Sequence, residues 1–378
     1  MGEDQIRCVN CGRAYPETGA PAFCPDCGGL FDFSRPLTFD PAQADPSRRG
    51  VFRFLTSVGP DSVSLGEGDT PLVWAEAFGR EVAFKCEYQN PTGSFKDRGS
   101  AALVSFLLSR GVTEAVEDSS GNAGASFAAY AARAGIKARV FVPESASGPK
   151  LNQIRAYGAE VVTVPGPREN AETAAKKATE TRFLGENGFL KENGFLPVIY
   201  ASHAAMPFSL PGYATLAYEI FEQLGGRVPG AILLPAGQGG LLLGAARGFD
   251  ALRQAGAWTE RSRSLTREAP RVVGVQSERL CPLAGQRSQV EGQTIAEGIR
   301  NTNPLRKETV RKAVESSGGW WETVEEETIL PGRDALARKG FYVEPTSAVV
   351  WRALEKALPK LPDPVVVILT GSGLKFSA

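Results

Sequence analysis

From about residue 60 onward, short runs of apolar and β-branched residues alternate with Ala-rich stretches in which apolar residues recur at helical spacing. Such an alternation predicts βα units around a mostly parallel sheet, and therefore an α/β fold. Strands covered on both faces are largely apolar, and two of these runs, 231–235 and 365–369, are apolar throughout. The predicted strands span residues 138–142, 160–164, 231–235, 271–275 and 365–369. The predicted helices span residues 122–134, 150–157 and 216–224.

The N-terminal residues have a different pattern, built on two C-x-x-C pairs. Cys8, Cys11, Cys24 and Cys27 are spaced C-x₂-C-x₁₂-C-x₂-C. Four thiolates on two such knuckles match tetrahedral zinc and leave no position open for catalysis. We therefore predict a structural zinc ribbon, and the alternative is a ribbon that has lost its metal or holds it weakly.

A linker and a short tandem repeat complete the organisation of the chain. Residues 36–49 contain Pro and Asp and are typical of a linker. Glu-Asn-Gly-Phe-Leu occurs at 186–190 and again at 192–196, which we interpret as a duplicated loop without chemistry. The predicted domains are the ribbon at 1–35, the linker at 36–60, a large lobe at 61–90 with 206–378, and a small lobe at 91–205.

Composition narrows the classes of partner. Lys+Arg and Asp+Glu are equal, at 42 each, so no net charge is available to hold nucleic acid or an anionic membrane. A small-molecule substrate is then the default. The apolar runs are too short to span a bilayer, and the first residues lack the pattern of a signal peptide. We expect a soluble, cytoplasmic protein.

Segment 90–99 combines a turn with a helix start. Its sequence is Asn-Pro-Thr-Gly-Ser-Phe-Lys-Asp-Arg-Gly, in which Gly93 permits an unusual backbone angle and Ser94 can cap a following helix. Lys96 would lie in the first helical turn, where the helix dipole and lost hydration lower the pKa of an ammonium. A lysine must be uncharged to attack an aldehyde, so this position suits Schiff-base chemistry. A capped surface helix with a solvated lysine is the alternative.

Two further segments place glycines and small polar residues before a helix. Segment 117–124 exposes backbone N–H groups that suit a carboxylate or phosphate, unless it is an ordinary helix cap. Segment 235–244 follows an apolar strand, and its glycines allow amides to close around a phosphate. Its spacing is neither that of Walker A nor that of the dinucleotide-binding motif, and a tight turn is the alternative.

Single residues outside these segments give weaker indications of function. Thr370 follows the last apolar run, at the kind of strand end where ligands of parallel sheets gather, and its hydroxyl could meet a cofactor ring nitrogen. His203 is the sole histidine, so a histidine-based metal site is excluded, and we interpret it as a polar loop residue near a pocket. Cys86 and Cys281 stand alone and are typical of buried packing residues.

Seven segments of the chain, taken in order, resemble one family. They are the ribbon, segment 66–72, the Lys96 segment, the Ser-Gly-Asn loop, the Gly-rich loop, segment 343–348 and the terminal Thr-Gly-Ser-Gly. It is the threonine synthase branch of the fold-type II pyridoxal-phosphate (PLP) enzymes, also called tryptophan-synthase-β-like. The likeness covers nearly the whole chain, and segment 90–99 is highly specific to the family. The resemblance implies two α/β lobes with parallel or mixed sheets, PLP in the cleft between them, and a homodimer.

The resemblance also implies roles for particular residues. Lys96 would hold PLP as a Schiff base and then move protons at the substrate Cα. Asn122 would bond the ring hydroxyl, and Thr370 would face the ring nitrogen. Because a neutral hydroxyl makes the ring a weaker electron sink, elimination and replacement are favoured over transamination. The substrate carboxylate would be bound by Ser119, Ser120 and Gly121, the substrate phosphate by Lys85, and the cofactor phosphate by Gly237, Gln238, Gly239, Gly240 and Leu241.

Several positions depart from the threonine synthase pattern. Ser209 stands where the family has arginine and Met206 where it has asparagine, so a phosphate would lose an interaction of about 1.5–3 kcal/mol. Ser372 replaces a common histidine, and segment 294–299 is closer to ammonia-lyases.

Three functions are therefore open. The expected function is PLP-dependent elimination and replacement that converts O-phosphohomoserine to threonine and phosphate. The alternative within the fold is a serine/threonine ammonia-lyase or a β-replacement enzyme. A catalytically silent binding protein is a third possibility, which the balanced charge and the intact Lys96 segment argue against.

Overall fold

The computed structural model describes residues 5–56, 62–146, 148–180, 198–257, 269–285 and 292–376. The tandem repeat at 186–196 lies outside the described residues. The strands are β1 (Ile6–Cys8), β2 (Phe31–Phe33), β3 (Leu72–Ala77), β4 (Arg80–Lys85), β5 (Glu114–Glu117), β6 (Lys137–Pro143), β7 (Glu160–Val164), β8 (Ile199–Tyr200), β9 (Ala231–Pro235), β10 (Arg271–Ser277), β11 (Trp320–Val324) and β12 (Val365–Ile368).

The helices alternate with these strands along most of the chain. They are α1 (Lys96–Ser109), α2 (Asn122–Ala134), α3 (Pro149–Ala156), α4 (Arg168–Glu180), α5 (Ser209–Gln223), α6 (Gly240–Gln254), α7 (Lys307–Ser316), α8 (Ile329–Arg338) and α9 (Pro345–Ala357). Within the described ranges, no helix has both the length and the apolar character needed to cross a membrane.

The chain groups into two compact units, each assembled from separate segments. The first unit comprises Met1–Arg35, Ser57–Leu65 and Lys96–Ser209. The second comprises Pro36–Thr56, Gly66–Phe95 and Leu210–Ala378. The domain boundaries predicted from the sequence stay predictions.

The first unit contains a four-stranded parallel sheet and the small antiparallel pair β1–β2. The strand order is β7-β6-β5-β8, so the chain moves outward from β5 to β7 and then returns to the other side of β5. The carboxyl end of β5 therefore lies where the strand order reverses, which is the usual position of ligands in open α/β sheets.

The second unit contains a six-stranded sheet in the order β11-β10-β9-β12-β4-β3, in which only β3 is antiparallel to its neighbour. The chain continues from β9 to β10 and β11 on one side, while β12 pairs with β9 on the other. The order reverses between β9 and β12, and both strands are buried at every residue. Their continuous apolar sequences follow from coverage on both faces.

Helix α9 illustrates how the core of the second unit is built. It begins at Pro345, which is tolerated in a first turn because its missing N–H would have no intrahelical partner there. Val350, Ala353 and Leu354 recur at helical spacing and are fully buried in the core cluster that includes β9 and β12. Truncation of Leu354 to alanine would cost about 2–5 kcal/mol.

The predicted elements are confirmed, with one displaced boundary. Strands 160–164 and 231–235 and helix 122–134 have the predicted bounds, and the other predicted strands and helix 150–157 differ by one or two residues at their ends. Helix α5 begins at Ser209, although the sequence predicted a start at residue 216. Pro211 lies in the first turn of α5, where proline is tolerated. Both faces of α5 are buried near its start, so no amphipathic pattern marks where it begins.

Candidate functional site

Lys96 is the first residue of α1, at the position that the turn and cap pattern predicted. Gly93, three residues before it, has φ +85°, and its N–H donates to the Asn90 carbonyl oxygen at 2.7 Å. Lys96 is partly buried, and burial lowers the pKa of its amine to about 8. The Glu117 carboxylate opposes this shift and the Arg168 guanidinium adds to it. At pH 7 roughly a tenth of such amines is uncharged, far more than for an exposed lysine.

Glu117 shapes the loop that follows β5. It is buried at the carboxyl end of the strand, and its Oε2 accepts the Ser119 N–H at 2.5 Å. The Gly121 N–H in turn donates to Ser119 Oγ at 3.2 Å. A Cβ on Gly124 would lie 1.9 Å from the Ser119 carbonyl oxygen, so only glycine fits under the loop. Burial raises the pKa of Glu117 to about 7, although the Ser119 N–H lowers it.

Asp118 ties the same loop to two other elements of the first unit. Its Oδ1 accepts from the Tyr200 hydroxyl at 2.7 Å, and its Oδ2 lies 3.2 Å from the Arg168 guanidinium at the start of α4. Burial and the neighbouring Glu117 raise the pKa of Asp118 to about 6, while Arg168 and the Tyr200 hydroxyl lower it. Ser119, Ser120, Gly121 and Asn122 are all partly exposed above these contacts.

His203 lies in the loop before α5, as predicted, and it is buried beside Glu117. Its Nε2 lies 2.8 Å from Ser100 Oγ, and its Nδ1 lies 3.5 Å from Glu117 Oε1. Ser100 Oγ is 2.6 Å from Ser126 Oγ, and the Ser126 hydroxyl donates to Asp97 at 2.6 Å. Burial lowers the pKa of His203 to about 3, so the imidazole is neutral at pH 7.

The direction of these hydrogen bonds assigns the tautomer of His203. Since the Ser126 proton goes to Asp97, Ser100 must donate to Ser126, and His203 Nε2–H must donate to Ser100. Nδ1 then presents a lone pair to Glu117, and an ionised carboxylate would oppose it with another lone pair. This arrangement and burial both raise the pKa of Glu117, so both forms are present near pH 7 and the carboxylate is mostly ionised near pH 8.

The Gly-rich loop of the second unit links β9 to α6. Gly239 has φ +80° and caps α6, which begins at Gly240. A Cβ on Gly237 would lie 2.5 Å from Asn301 Nδ2, and one on Gly239 would lie 2.7 Å from the Val310 methyl groups. The first amides of α6, among them that of Leu241, have no intrahelical acceptor and suit an anion.

Gln238 fixes this loop. Its Nε2 donates to Asn301 Oδ1 at 3.1 Å, and its Oε1 accepts the Leu305 N–H at 3.0 Å. The side chain is therefore used within the protein, which leaves the backbone of the loop for a ligand.

Thr370 follows β12, the neighbour of β9, so it leaves the sheet at the same edge as the Gly-rich loop. Its N–H is satisfied by Ser347 Oγ at 2.9 Å, and its carbonyl oxygen accepts from Phe95, the residue before Lys96, at 3.0 Å. Its Oγ1 is buried and has no hydrogen-bond partner within the described part of the chain. A buried hydroxyl without a partner costs free energy, so this group fits a ligand atom such as a ring nitrogen.

Lys85 lies at the end of β4 and is fully buried. Its Nζ donates to the Thr70 carbonyl oxygen at 2.7 Å, to Glu219 at 2.8 Å and to Gln223 at 2.9 Å. These contacts use the three protons of the ammonium. The predicted contact with a substrate phosphate stays a prediction, and it requires one of these partners to be exchanged.

Ser209 and Met206, the two positions that depart from the family pattern, are both fully buried. Ser209 Oγ lies 3.3 Å from the His203 carbonyl oxygen and 3.5 Å from that of Met206. The serine hydroxyl is thus turned to the backbone of its own segment, and it brings no positive charge.

The four ribbon cysteines converge, as their spacing predicted. Their Sγ atoms all lie within 4.8 Å of one another, with 3.5 Å between Cys8 and Cys27 and 3.7 Å between Cys11 and Cys24. Thiolates around a tetrahedral zinc ion at 2.3 Å would be about 3.8 Å apart. The cluster therefore fits zinc, and the separations are too long for disulfides.

The structure thus groups the predicted residues by unit. Lys96 and the loop 119–122 belong to the first unit, and the Gly-rich loop, Thr370 and Lys85 belong to the second. The sequence did not assign roles to Glu117, Asp118 or His203. Glu117 and Asp118, two acids at the end of an apolar strand, were a usable signal for a site. The position of His203 was not, because it depends on contact between segments that are far apart in the sequence.

The comparisons with known proteins identify the family. A model described as "Pyridoxal-phosphate dependent enzyme" matches residues 63–371. Threonine synthase from Methanocaldococcus jannaschii is 33% identical over 98% of this chain and 92% of that protein, and threonine synthase from Methanosarcina acetivorans is 29% identical over 98% and 92%. The crystal structure of a threonine deaminase from T.th. superposes with a TM-score of 0.62 at 28% identity, over 82% of this chain and 94% of that one.

The α/β sheets, the lysine that starts α1 and the Gly-rich strand–helix loop agree with these matches. The matches with the family model and with the methanogen enzyme each span most of the chain. This chain belongs to the pyridoxal-phosphate-dependent enzymes of fold-type II.

Proposed function

We propose that this chain is a threonine synthase, which converts O-phosphohomoserine and water to threonine and inorganic phosphate. One observation carries the proposal. The 33% identity to the Methanocaldococcus jannaschii threonine synthase extends over 98% of this chain, so it includes the N-terminal ribbon as well as the catalytic core.

The first unit supplies the groups that act on the substrate. Bound PLP contributes an electron-withdrawing ring that stabilises negative charge developing on substrate carbon atoms. Lys96 would hold the PLP aldehyde, and its lowered pKa would let the free amine accept and return a proton at the substrate Cα near neutral pH. The loop of Ser119, Ser120 and Gly121 binds the substrate carboxylate, and Glu117 fixes that loop through the Ser119 N–H.

The second unit supplies the groups that hold the cofactor. The phosphate would be bound at the N-terminus of α6 by the amides of Gly237, Gln238, Gly239, Gly240 and Leu241. Thr370 would offer the ring nitrogen a neutral hydroxyl, which favours elimination and replacement. Asn122 would bond the ring hydroxyl.

The experiment uses borohydride reduction of the purified holoenzyme, followed by peptide mass spectrometry, together with an assay of phosphate release. We expect the pyridoxyl group on Lys96, and loss of phosphate release in Lys96→Ala. Lys137→Ala, at a lysine whose side chain is 67% exposed, is the matched control and should retain activity. Label on another lysine, or normal turnover in Lys96→Ala, would end the proposal.

A serine/threonine ammonia-lyase or β-replacement enzyme is the second candidate. The buried, uncharged Ser209 favours it, since a second phosphate needs a cation at this position. Similarity to a threonine deaminase also supports it. Ammonia and a 2-oxo acid formed from threonine or serine, without phosphate release from O-phosphohomoserine, would select this candidate.

We further propose that the ribbon holds one zinc ion through Cys8, Cys11, Cys24 and Cys27. Their close approach without disulfide geometry supports this, and reduced thiols fit a cytoplasmic protein. Metal analysis of the purified protein tests it, and we expect one zinc ion per chain.

We also propose a homodimer. Val73 and Trp74 lie on β3, one of the two edge strands of the six-stranded sheet, and their side chains are exposed in the single chain. Exposed apolar side chains on an unpaired edge are typical of an interaction surface.

A further inference from the structure

The N-terminal ribbon packs against α1, the helix that begins at Lys96. The Tyr15 ring lies 4.7 Å from Phe31 within the ribbon, 5.9 Å from Phe106 on α1 and 5.0 Å from Phe208. Arg110, just after α1, donates to the ribbon carbonyl oxygens of Pro16 at 3.0 Å, Gly19 at 3.1 Å, and Glu17. These contacts hold the ribbon on the body of the first unit.

A second set of contacts leads from the ribbon to the loop after β5. Phe23 stacks on Tyr200 with ring centroids 6.4 Å apart and an interplanar angle of 21°. Phe23 directly precedes the predicted zinc ligand Cys24, and Lys176 lies 4.9 Å over its ring. The buried Tyr200 hydroxyl donates to Asp118, the residue immediately before Ser119.

We propose that the ribbon is a brace for the substrate loop, in which the Cys24 knuckle holds Phe23, Phe23 holds Tyr200, and Tyr200 holds Asp118. Tyr200 is then a positioning residue for loop 119–121. The assignment of that loop to the substrate carboxylate rests on the proposed function.

The chemistry of the Tyr200–Asp118 contact explains why the brace matters. Asp118 is 5% exposed, so its carboxylate cannot be solvated in place of a lost partner. Burial and the neighbouring acids raise the pKa of Tyr200, which keeps its hydroxyl protonated and able to donate. A tyrosine that loses its stacked neighbour gains freedom to rotate, and Asp118 and the loop gain freedom with it.

The test compares hydrogen exchange of residues 117–124 in PLP-loaded protein. Phe23→Ala removes the stacking and should speed exchange about threefold to tenfold. Tyr200→Phe keeps the ring but removes the donor, and it should speed exchange by about tenfold. Phe33→Ala is the matched control, because Phe33 is a ribbon aromatic with no ring contact to another aromatic among the described residues, and its exchange at 117–124 should equal that of the wild type.

Kinetics separate positioning from loss of structure. In Tyr200→Phe, KM for O-phosphohomoserine should rise about tenfold while kcat changes little, because the loop binds the carboxylate and does not take part in proton transfer. Cys24→Ser should lose zinc and speed exchange at 117–124 to the level of Phe23→Ala. Unchanged exchange in both Phe23→Ala and Tyr200→Phe would overturn the brace.

Borohydride labelling of Lys96 in each variant keeps the two proposals apart. If Lys96 is labelled in the wild type and exchange does not respond to Phe23→Ala or Tyr200→Phe, the brace is wrong and the proposed function stands. If Lys96 is not labelled in the wild type, the proposed function is wrong, whatever the exchange rates are.

Discussion

At the scale of single residues, the neutral state of His203 is set by burial and by the chain of hydroxyls that runs to Asp97. Because this is the only histidine in the chain, one imidazole signal reports it without overlap. We expect that signal, in protein with ¹³C/¹⁵N-labelled histidine, to stay constant between about pH 5 and pH 8 and to have the shifts of the Nε2–H tautomer. A signal that titrates near pH 6.5, or the Nδ1–H tautomer, would contradict the assigned hydrogen-bond direction.

The lowered pKa of His203 also predicts how the stability of the protein depends on pH. The pKa of His203 is about 3 in the folded protein and about 6.5 when unfolded, so the unfolded chain binds the extra proton first. Its contribution to stability is therefore complete above the unfolded pKa and is lost as pH falls from there toward the folded pKa. Urea unfolding of wild type and His203→Gln between pH 7 and pH 5 measures it, and the wild type should lose more stability on acidification.

Glu117 and Arg168 carry charges of opposite sign near Lys96, so their removal should shift the pKa of Lys96 in opposite directions. In cofactor-free protein, the rate at which Lys96 binds PLP covalently should rise with pH through a midpoint near its pKa of about 8. Glu117→Gln removes a charge that raises the pKa, so the midpoint should fall, whereas Arg168→Met removes a charge that lowers it, so the midpoint should rise. Rates from stopped-flow absorbance at several pH values test this, and shifts in the same direction would refute it.

The residues that the sequence identified are those whose chemistry lies in a local pattern. Lys96 and the four cysteines follow from the spacing within one short segment. Glu117 and His203 do not, because their properties come from burial and from each other, across a long separation in the chain. The tautomer of His203 depends further on Ser100 and Ser126, whose role no local pattern marks.

At the scale of elements, two glycines at opposite ends of α6 form a matched pair: Gly239 in the Gly-rich loop before the helix, and Gly256 just after it. Gly239 and Gly256 both have positive φ, at +80° and +68°, but only at Gly239 would a Cβ meet a neighbour, Val310 at 2.7 Å. Gly256→Ala should cost about 1–2 kcal/mol of stability through backbone strain alone and leave PLP affinity unchanged. Gly239→Ala adds an overlap of about 1–3 kcal/mol and moves the loop, so PLP affinity should fall by at least about tenfold.

Fluorescence titration with PLP and guanidinium unfolding measure the two effects separately. Equal PLP affinities in the two variants would show that the backbone of the Gly-rich loop does not bind the cofactor phosphate.

Apolar runs predicted the buried strands well, because parallel strands covered on both faces need no polar positions. Strands β1 to β5, β8 and β11 were not predicted. Among them, β3 is an edge strand with exposed and buried residues in no simple alternation. The start of α5 was misplaced for a related reason: a helix buried on all sides has no polar face to reveal its period.

At the scale of the whole molecule, the sequence predicted two α/β lobes and one appended ribbon, but this depended on resemblance. Each compact unit is assembled from three separate segments of chain. Composition and periodicity describe neighbouring residues, so they cannot indicate that residues 66–95 group with residues from 210 onward. Strand order also depends on contacts between distant segments. It places the loops after β9 and β12 side by side although they are far apart in sequence.

The proposed homodimer gives a prediction at this scale. Trp74 is 45% exposed on the edge strand β3, and lysine on an edge strand opposes pairing with another chain because the charge would have to be desolvated. Trp74→Lys should therefore shift the protein from dimer to monomer in sedimentation velocity at micromolar concentration. Val9→Lys changes an apolar residue of the ribbon that is 59% exposed, and it should leave the dimer intact. A wild-type monomer would refute the dimer itself, and a Trp74→Lys dimer would place its interface elsewhere, because one charge at a packed apolar contact is enough to separate two subunits of moderate affinity.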